Sequence, residues 1–585
     1  MILEAARFIN KIITSLPVHA ALAAKLSFCL ILCVFISCGS NPSTRSNQND
    51  SQRQQVSGGV AEEIRKLTET GILSSMLHAL DTIRNRNLSN VDFGRMMNGI
   101  NTLLIRLVYP DSLARLPPID LPQTYRYTRI IREAERGIYI KPHENVNDFF
   151  EFILPFLAVT NRPASQGLPV DISPQDILKD LDKAEEIRAA SVLPSFFKGL
   201  LYERLSQFAE AERAYRRAYE ISEGCYPALI GTARVRRLAG NQSEAVQAFS
   251  DLIIRYPDSR EIKRQLAISL FENRDWSRAL PAIDEILQSD PRDGEFLLMK
   301  ASLLIEQGNF SPANAVLDTY APINPNNRLY LYLRARVQAE GNRNRDSALN
   351  YLRSIFRSSP DDVEALILAV TLLLESSRPA DQTEGRELLA RLRRLAGSSI
   401  GVLSISLRDA VMRESWQEAQ GFLNRILTSR RTVQDLTDGY HIERGLGNNS
   451  RALSFARELY ERDTTNNDNT LIYISALIDN ARRDEAMRLL DSRMNSVGRG
   501  ALLSRFYFLR SRLQTNDEAI VSDLRSSYFE DPKNLEAIIA LFEYHNRRRE
   551  TSRAVYYLKL AIATAPDNSV VRRLEREHSS LLSRN

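Results

Sequence analysis

The sequence predicts an all-α fold: a solenoid of stacked helix pairs preceded by a small helical N-terminal region. Three observations predict it. Prolines recur at a fixed interval, with Pro257, Pro291 and Pro325 spaced 34 residues apart, Pro360 after 35, and Pro532 and Pro566 again 34 apart. Small and bulky residues repeat in the same order ahead of these prolines. The body also lacks any convincing strand, while its apolar residues recur at helical spacing.

Length and composition set the frame. At 585 residues and 66.4 kDa the chain is too long for one ordinary core, so several domains or a repeat array are expected. Apolar residues make up 43% and charged residues 25%, the balance of a folded protein, which excludes a disordered chain, a collagen and a polytopic membrane protein. A net charge of +5 gives no electrostatic reason to expect nucleic acid. Of 77 basic residues only 11 are Lys. Cys29, Cys33 and Cys38 crowd the N-terminus and Cys225 stands alone, so stability must come from packing.

Residues 1–37 read as an export leader. Arg7, Lys11 and Lys25 precede the apolar run Leu26–Ile36, too short for a bilayer that takes about 20 residues. The run ends in Phe35-Ile36-Ser37-Cys38-Gly39, which resembles a bacterial lipobox, with Phe35 in place of the usual Leu. That resemblance implies diacylglycerol on the Cys38 thiol and cleavage before it; an ordinary signal peptide and an uncleaved anchor are the alternatives. Residues 38–59 are polar and cannot bury enough surface to fold, which suits a tether about 25 Å long. More than one acyl chain on Cys38 meets the requirement for stable membrane anchoring.

Residues 60–190 read as helical without an obvious period. Patterns such as EEIRKL, MMNGINTLLIRLV and NDFFEFILPFL suggest four or five amphipathic helices, with proline-rich breaks at Leu116–Pro122 and Arg162–Pro174.

Residues 191–568 carry the period. Ala233, Gly240, Ala245 and Phe249 precede Pro257; Ala267, Trp276, Ala279 and Ile283 precede Pro291; Ala301, Gly308, Phe310, Ala313 and Leu317 precede Pro325. A small residue is needed where two antiparallel helices approach, and a large one fills the adjoining groove. A proline after the second helix cannot continue it and turns the chain into the next unit. These residues resemble the tetratricopeptide repeat (TPR), which implies a right-handed superhelix of about eleven units, with Val363–Ile400 fitting worst. Residues 569–585 have charge along one side, as a solubilising C-terminal capping helix requires.

Chemistry-bearing motifs are missing. The six histidines form no HExxH pair and none sits at zinc spacing from a cysteine, so no metal is expected. There is no GxxxxGK[ST], no GxGxxG after a strand and no GxSxG, so neither a cofactor nor an enzymatic activity is expected. Basic clusters such as Arg547-Arg548-Arg549 lack interleaved aromatics and read as solvated helix faces.

In the TPR family the first helix of each pair, helix A, lines a concave groove that takes peptides. Carried over, that register makes groove candidates of Arg234, Arg237, Arg264 and Phe271, then of Tyr332, Arg336 and Arg408, and finally of His441, Arg444, Arg505 and Arg512. A row of guanidiniums can grip carboxylates. The family's carboxylate clamp for chaperone tails is not expected, since Arg234 stands where one of its Asn residues would be. The whole pattern looks like a lipid-anchored scaffold of the bacterial cell envelope, holding other envelope proteins in an assembly or transport complex. A surface-exposed adhesin that binds a host molecule through the same groove is the alternative. The anchor places the protein on the bacterial cell membrane or the outer membrane, Gly39 after the lipid cysteine pointing to the latter, with the body expected in the periplasm.

Overall fold

The structure, a computed structural model, describes residues 56–582 apart from 113, 114, 124, 144, 164, 165 and 170. The expected leader, the lipid site Cys38 and residues 38–55 of the expected tether lie outside the described residues. Among the described residues all regular structure is helical, and no helix is long and apolar enough to cross a membrane. The chain divides into two compact units, 1–282 and 283–585, with the boundary inside the helix Trp276–Ser289.

The first unit opens with the helices Gly58–Glu69, Leu73–Asn85, Asp92–Val108 and Arg126–Glu135, two short ones at Phe149–Ile153 and Leu157–Thr160, and Pro174–Ile187. Leu73–Asn85 has no counterpart among the patterns read from the sequence. Helix pairing then becomes regular, with Leu193–Arg204 against Phe208–Ile221 and Tyr226–Leu238 against Gln242–Arg255. The hydrophobic core does not break between the irregular and the regular part. One buried cluster runs from Ile64 through Tyr109, Phe156 and Phe197 to Val235. Polar contacts join the same parts: Val192 N donates to Thr70 O at 3.0 Å, Arg188 pairs with the buried Glu69, and Asp111 accepts from Ser259 Oγ and from Glu261 N. Arg204 donates to the carbonyls of Val159, Arg162 and Pro163, so one guanidinium satisfies several backbone acceptors at and just past the end of the helix Leu157–Thr160.

Repeat geometry follows from a few positions. A helices begin at Tyr226, Arg260, Gly294 and Arg328, each 34 residues after the last. The residue before many of them caps the helix: Ser259, Asp293, Asn327, Asp362, Thr432, Asn466, Asn534 and Asn568 each accept from a backbone N–H of the first turn. Six of these caps follow a proline by two residues, so the periodic proline is one half of a Pro-x-cap signal. The turn from helix A to helix B takes a left-handed residue at the same interval: Ser206, Gly240, Arg274 and Gly308 all have positive φ.

Small residues sit where helices come closest. A Cβ on Gly199 would stand 2.6 Å from the Tyr215 ring, and one on Gly231 would stand 2.7 Å from its other end. Tyr215 is fully buried between the two A helices, and its hydroxyl donates to Glu203 at 2.8 Å.

In the second unit the pairs continue from Gly294–Glu306 with Phe310–Tyr320 to Leu535–Arg547 with Thr551–Thr564. The 35-residue interval before Pro360 has a local cause. The helix Arg328–Arg336 ends in a π-helical turn, Val337–Gly341, which takes up one extra residue. A Cβ on Gly341 would lie 2.6 Å from Phe310 Cβ, so a side chain there would force the two helices to shift. The poorly fitting stretch 363–400 holds an 18-residue second helix, Pro379–Ala396, where its neighbours have 14 or fewer. Buried clusters follow one another along this unit, each built from adjacent helices, as expected when repeats touch only their neighbours. The expected single C-terminal helix is broken: Ser569–Glu577 and Ser579–Leu582 flank His578, which has φ −114° and sets its ring edge-on against Phe542 at 5.0 Å.

Candidate functional site

Side chains four, eight and eleven residues after the start of a helix share one face of it. The candidates from the repeats all fall on that register: Arg264, Tyr332 and Arg505 at the fourth place, Arg234, Arg336, Arg408 and His441 at the eighth, and Arg237, Phe271, Arg444 and Arg512 at the eleventh. What differs among them is their partners.

In the first unit they are tied inward. Arg234 Nε and Nη2 donate to the two Glu203 oxygens at 2.7 and 2.9 Å, bidentate and largely buried above Tyr215. Arg237 donates to Glu272 at 2.6 Å. Phe271 packs edge-on against Trp276, ring centres 5.5 Å apart, and Arg264 is half-buried on the same helix. Further along, Tyr332 lies under the Arg328 guanidinium at 5.3 Å, and burial pushes its phenol up to about 12. Arg336 donates to Glu340 at 2.7 Å and also to Glu306, and Arg408 donates to Glu375 at 3.0 Å. The Arg336–Glu306 and Arg408–Glu375 pairs link one A helix to the next.

The remaining four converge. His441 and Arg444 from Val433–Gly445 and Arg505 and Arg512 from Ala501–Leu513 line a cavity of about 380 Å³, with Leu471, Ile472 and Ser475 of the intervening helix Asn467–Asp479. Tyr440, Phe508 and Leu509 complete an apolar wall, and Glu536 is the one carboxylate in the lining. Arg512 Nη2 donates to Asp479 Oδ1 at 2.7 Å, while Arg444 Nε lies 3.0 Å from Asp479 Oδ2, outside hydrogen-bond alignment. Arg505 Nη1 donates to Asp468 at 2.6 Å. His441 stacks edge-on with Tyr440 at 5.0 Å; burial, and then the neighbouring Arg444 charge, hold its imidazole below the ordinary value, against an opposing pull from Asp438. Asp438 is itself raised, chiefly by burial.

Arginines and an apolar wall in one concavity suit an anionic, partly apolar ligand. A wider depression of about 720 Å³ beside the exposed Phe529 brings Arg525 together with Glu518 and Glu530, a balanced set with no such bias.

Asp479, Asp468 and the wall of Leu471, Ile472, Phe508 and Leu509 are not among the candidates read from the sequence. Asp479 stands twelve residues after the start of its helix at Asn467, one place past the register that selected the arginines, so that register passes over it. Cys225 is fully buried beside Tyr109, and burial pushes its thiol up to about 12, which leaves it unreactive.

Models of the tetratricopeptide repeat family match residues 198–260 and 270–337, and those stretches are tetratricopeptide repeats. Neither match indicates a catalytic family. No curated protein matches the chain in sequence. Solved structures it is similar to include a tetratricopeptide repeat protein of Parabacteroides merdae, 15% identical, covering 49% of this chain and 98% of that one with a TM-score of 0.29. Pseudomonas aeruginosa PilF is 19% identical over 37% of this chain and 94% of its own, with a TM-score of 0.32. Yeast Tom70 is 12% identical over 69% and 90%, with a TM-score of 0.31. Likenesses at this level name neither a ligand nor a partner for this chain.

Proposed function

We propose that the protein is a lipid-anchored scaffold of the bacterial cell envelope that holds a partner protein on the A-helix face of its repeats. Tetratricopeptide repeats mediate protein–protein interactions, which supports the coarser half of this reading. The observation that carries it is the cavity at 433–513, where His441, Arg444, Arg505 and Arg512 from two A helices stand around an apolar wall. On that face Arg237, Arg336 and Arg408 are each paired with a carboxylate of a neighbouring helix, and among the described residues no cavity of this kind stands beside them. The anchor rests on the lipobox-like Phe35–Gly39 and the polar stretch behind it.

Crosslinking in intact cells followed by mass spectrometry tests the scaffold. The expected result is a reproducible envelope protein whose crosslinks fall within 192–568. Recovery of no bacterial partner would overturn it and favour a surface protein that engages host molecules. Cys38→Ala is expected to abolish acyl labelling and move the protein out of the membrane fraction; label that persists would sink the anchor.

A further inference from the structure

We infer that a cavity where the irregular helices meet the first two repeats binds a small amphiphilic anion, an apolar chain ending in one carboxylate. The inference is independent of the scaffold reading and gives the irregular part a function, since that part builds half of the site.

The cavity lies wholly within the first unit and holds about 520 Å³. An enclosed apolar cavity of about 150 Å³ takes a benzene ring, so there is room here for a larger apolar body. Leu107 of the helix Asp92–Val108, with Phe156 and Val159 of the short helical turns, walls one side. Leu200 and Phe208 of the first repeat and Leu238 of the second wall the other. Phe156 and Val159 are buried, and Phe156 stacks on Phe197 with ring centres 4.6 Å apart, so this wall is held in place from behind. Leu238 is 43% exposed, which leaves apolar surface open to water at the rim. Leu200 and Glu203 stand 34 residues before Arg234 and Arg237, so the cavity opens on the A-helix face.

Charge selects the anion. Two charged side chains line the cavity, Glu203 and Arg204. Glu203 is already matched, by the bidentate Arg234 and by the Tyr215 hydroxyl. Arg204 donates only to backbone carbonyls, those of Val159, Arg162, Pro163 and Gly167. Among the described residues no carboxylate pairs with it or with its neighbour Arg162. Glu203 and Glu261 both act on Arg234, and setting these two carboxylates against Arg234, Arg204 and Arg162 still leaves one positive charge. Burial and then the Arg162 charge hold the Arg204 guanidinium below its ordinary value, a strain that a bound anion relieves.

Donors remain at the same edge. Among the described residues Arg204 Nε has no hydrogen-bond partner and Nη1 has one. The exposed Ser206 adds its hydroxyl to the lining. Polar donors at one edge and hydrocarbon over the rest suit a carboxylate with an apolar tail.

The test is isothermal titration calorimetry on the full chain at pH 8 with decanoate, ionised at that pH, and with decan-1-ol, which has the same chain without the charge. Decanoate is expected to bind at least about tenfold more tightly than the alcohol. Leu238→Glu sets a negative charge on the exposed rim and is expected to weaken decanoate by about tenfold. Ile254→Glu, a like change at an exposed position outside the cavity, should leave binding within about twofold of the unaltered protein. Arg162→Gln removes a charge whose one described hydrogen bond goes to the Gln166 carbonyl, and is expected to narrow the preference for decanoate about threefold. Equal binding of acid and alcohol, no binding of decanoate, or an unaffected Leu238→Glu protein would overturn the inference.

Discussion

Asp180 lies almost wholly buried on the helix Pro174–Ile187, where the Tyr139 hydroxyl donates to it at 2.9 Å. Burial raises its carboxyl to about 6 against partial compensation from that hydrogen bond and from Lys141, with Asp176 adding to the rise. A carboxyl raised in the folded state contributes stability that is fully present below the unfolded value and is lost as pH climbs through about 6. Asp180→Asn is therefore expected to stabilise the protein at pH 8 by about 2–3 kcal/mol and to leave it unchanged near pH 4. Urea unfolding of both proteins at the two pH values checks this; a gain independent of pH would mean that packing, not charge, decides the site. At the same scale the arginines divide by their neighbours. Arg234 stands at a register place indistinguishable from that of His441, yet Glu203 and Tyr215 draw it inward.

At the scale of elements, the caps do what the proline cannot. Pro325 ends one pair, and two residues later Asn327 accepts from Tyr330 N at 3.1 Å to start the next helix. Asn327→Ala removes that acceptor and is expected to cost about 1 kcal/mol, read as a lower midpoint in thermal unfolding. An unchanged midpoint would show that the stacked neighbours, not the cap, define this helix start. The π-turn Val337–Gly341 makes the complementary point: one inserted residue is absorbed locally, and the register returns at Val363.

For the whole chain, both ends of the described region depend on coverage. The first repeats share a core with the irregular helices before them, from Ile64 to Val235. At the other end, Val571 packs with Ile538 and Ala561, and Leu574 with Phe542 and Leu558. A protein truncated after Asp567 bares those residues, and size-exclusion chromatography is expected to show self-association above that of the full chain. Elution unchanged apart from the lost mass would mean that the last helix covers nothing essential.

Much of this was legible in the sequence because repeat proteins are built from local contacts. Proline and alanine spacing encodes helix length, helix approach and turn, and each acts within a few tens of residues. The A-helix register placed all the repeat candidates, from Arg234 to Arg512, on one helix face for the same reason. Tertiary structure decided which of them are occupied and which stand around a cavity. Ion pairing depends on side chains from a different helix some 33 to 35 residues away: Glu272 for Arg237, Glu375 for Arg408, and Asp479 for Arg444 and Arg512 together. The extent of the first core, from Ile64 to Val235, was also decided there, since its irregular helices carry no period from which their neighbours could be read.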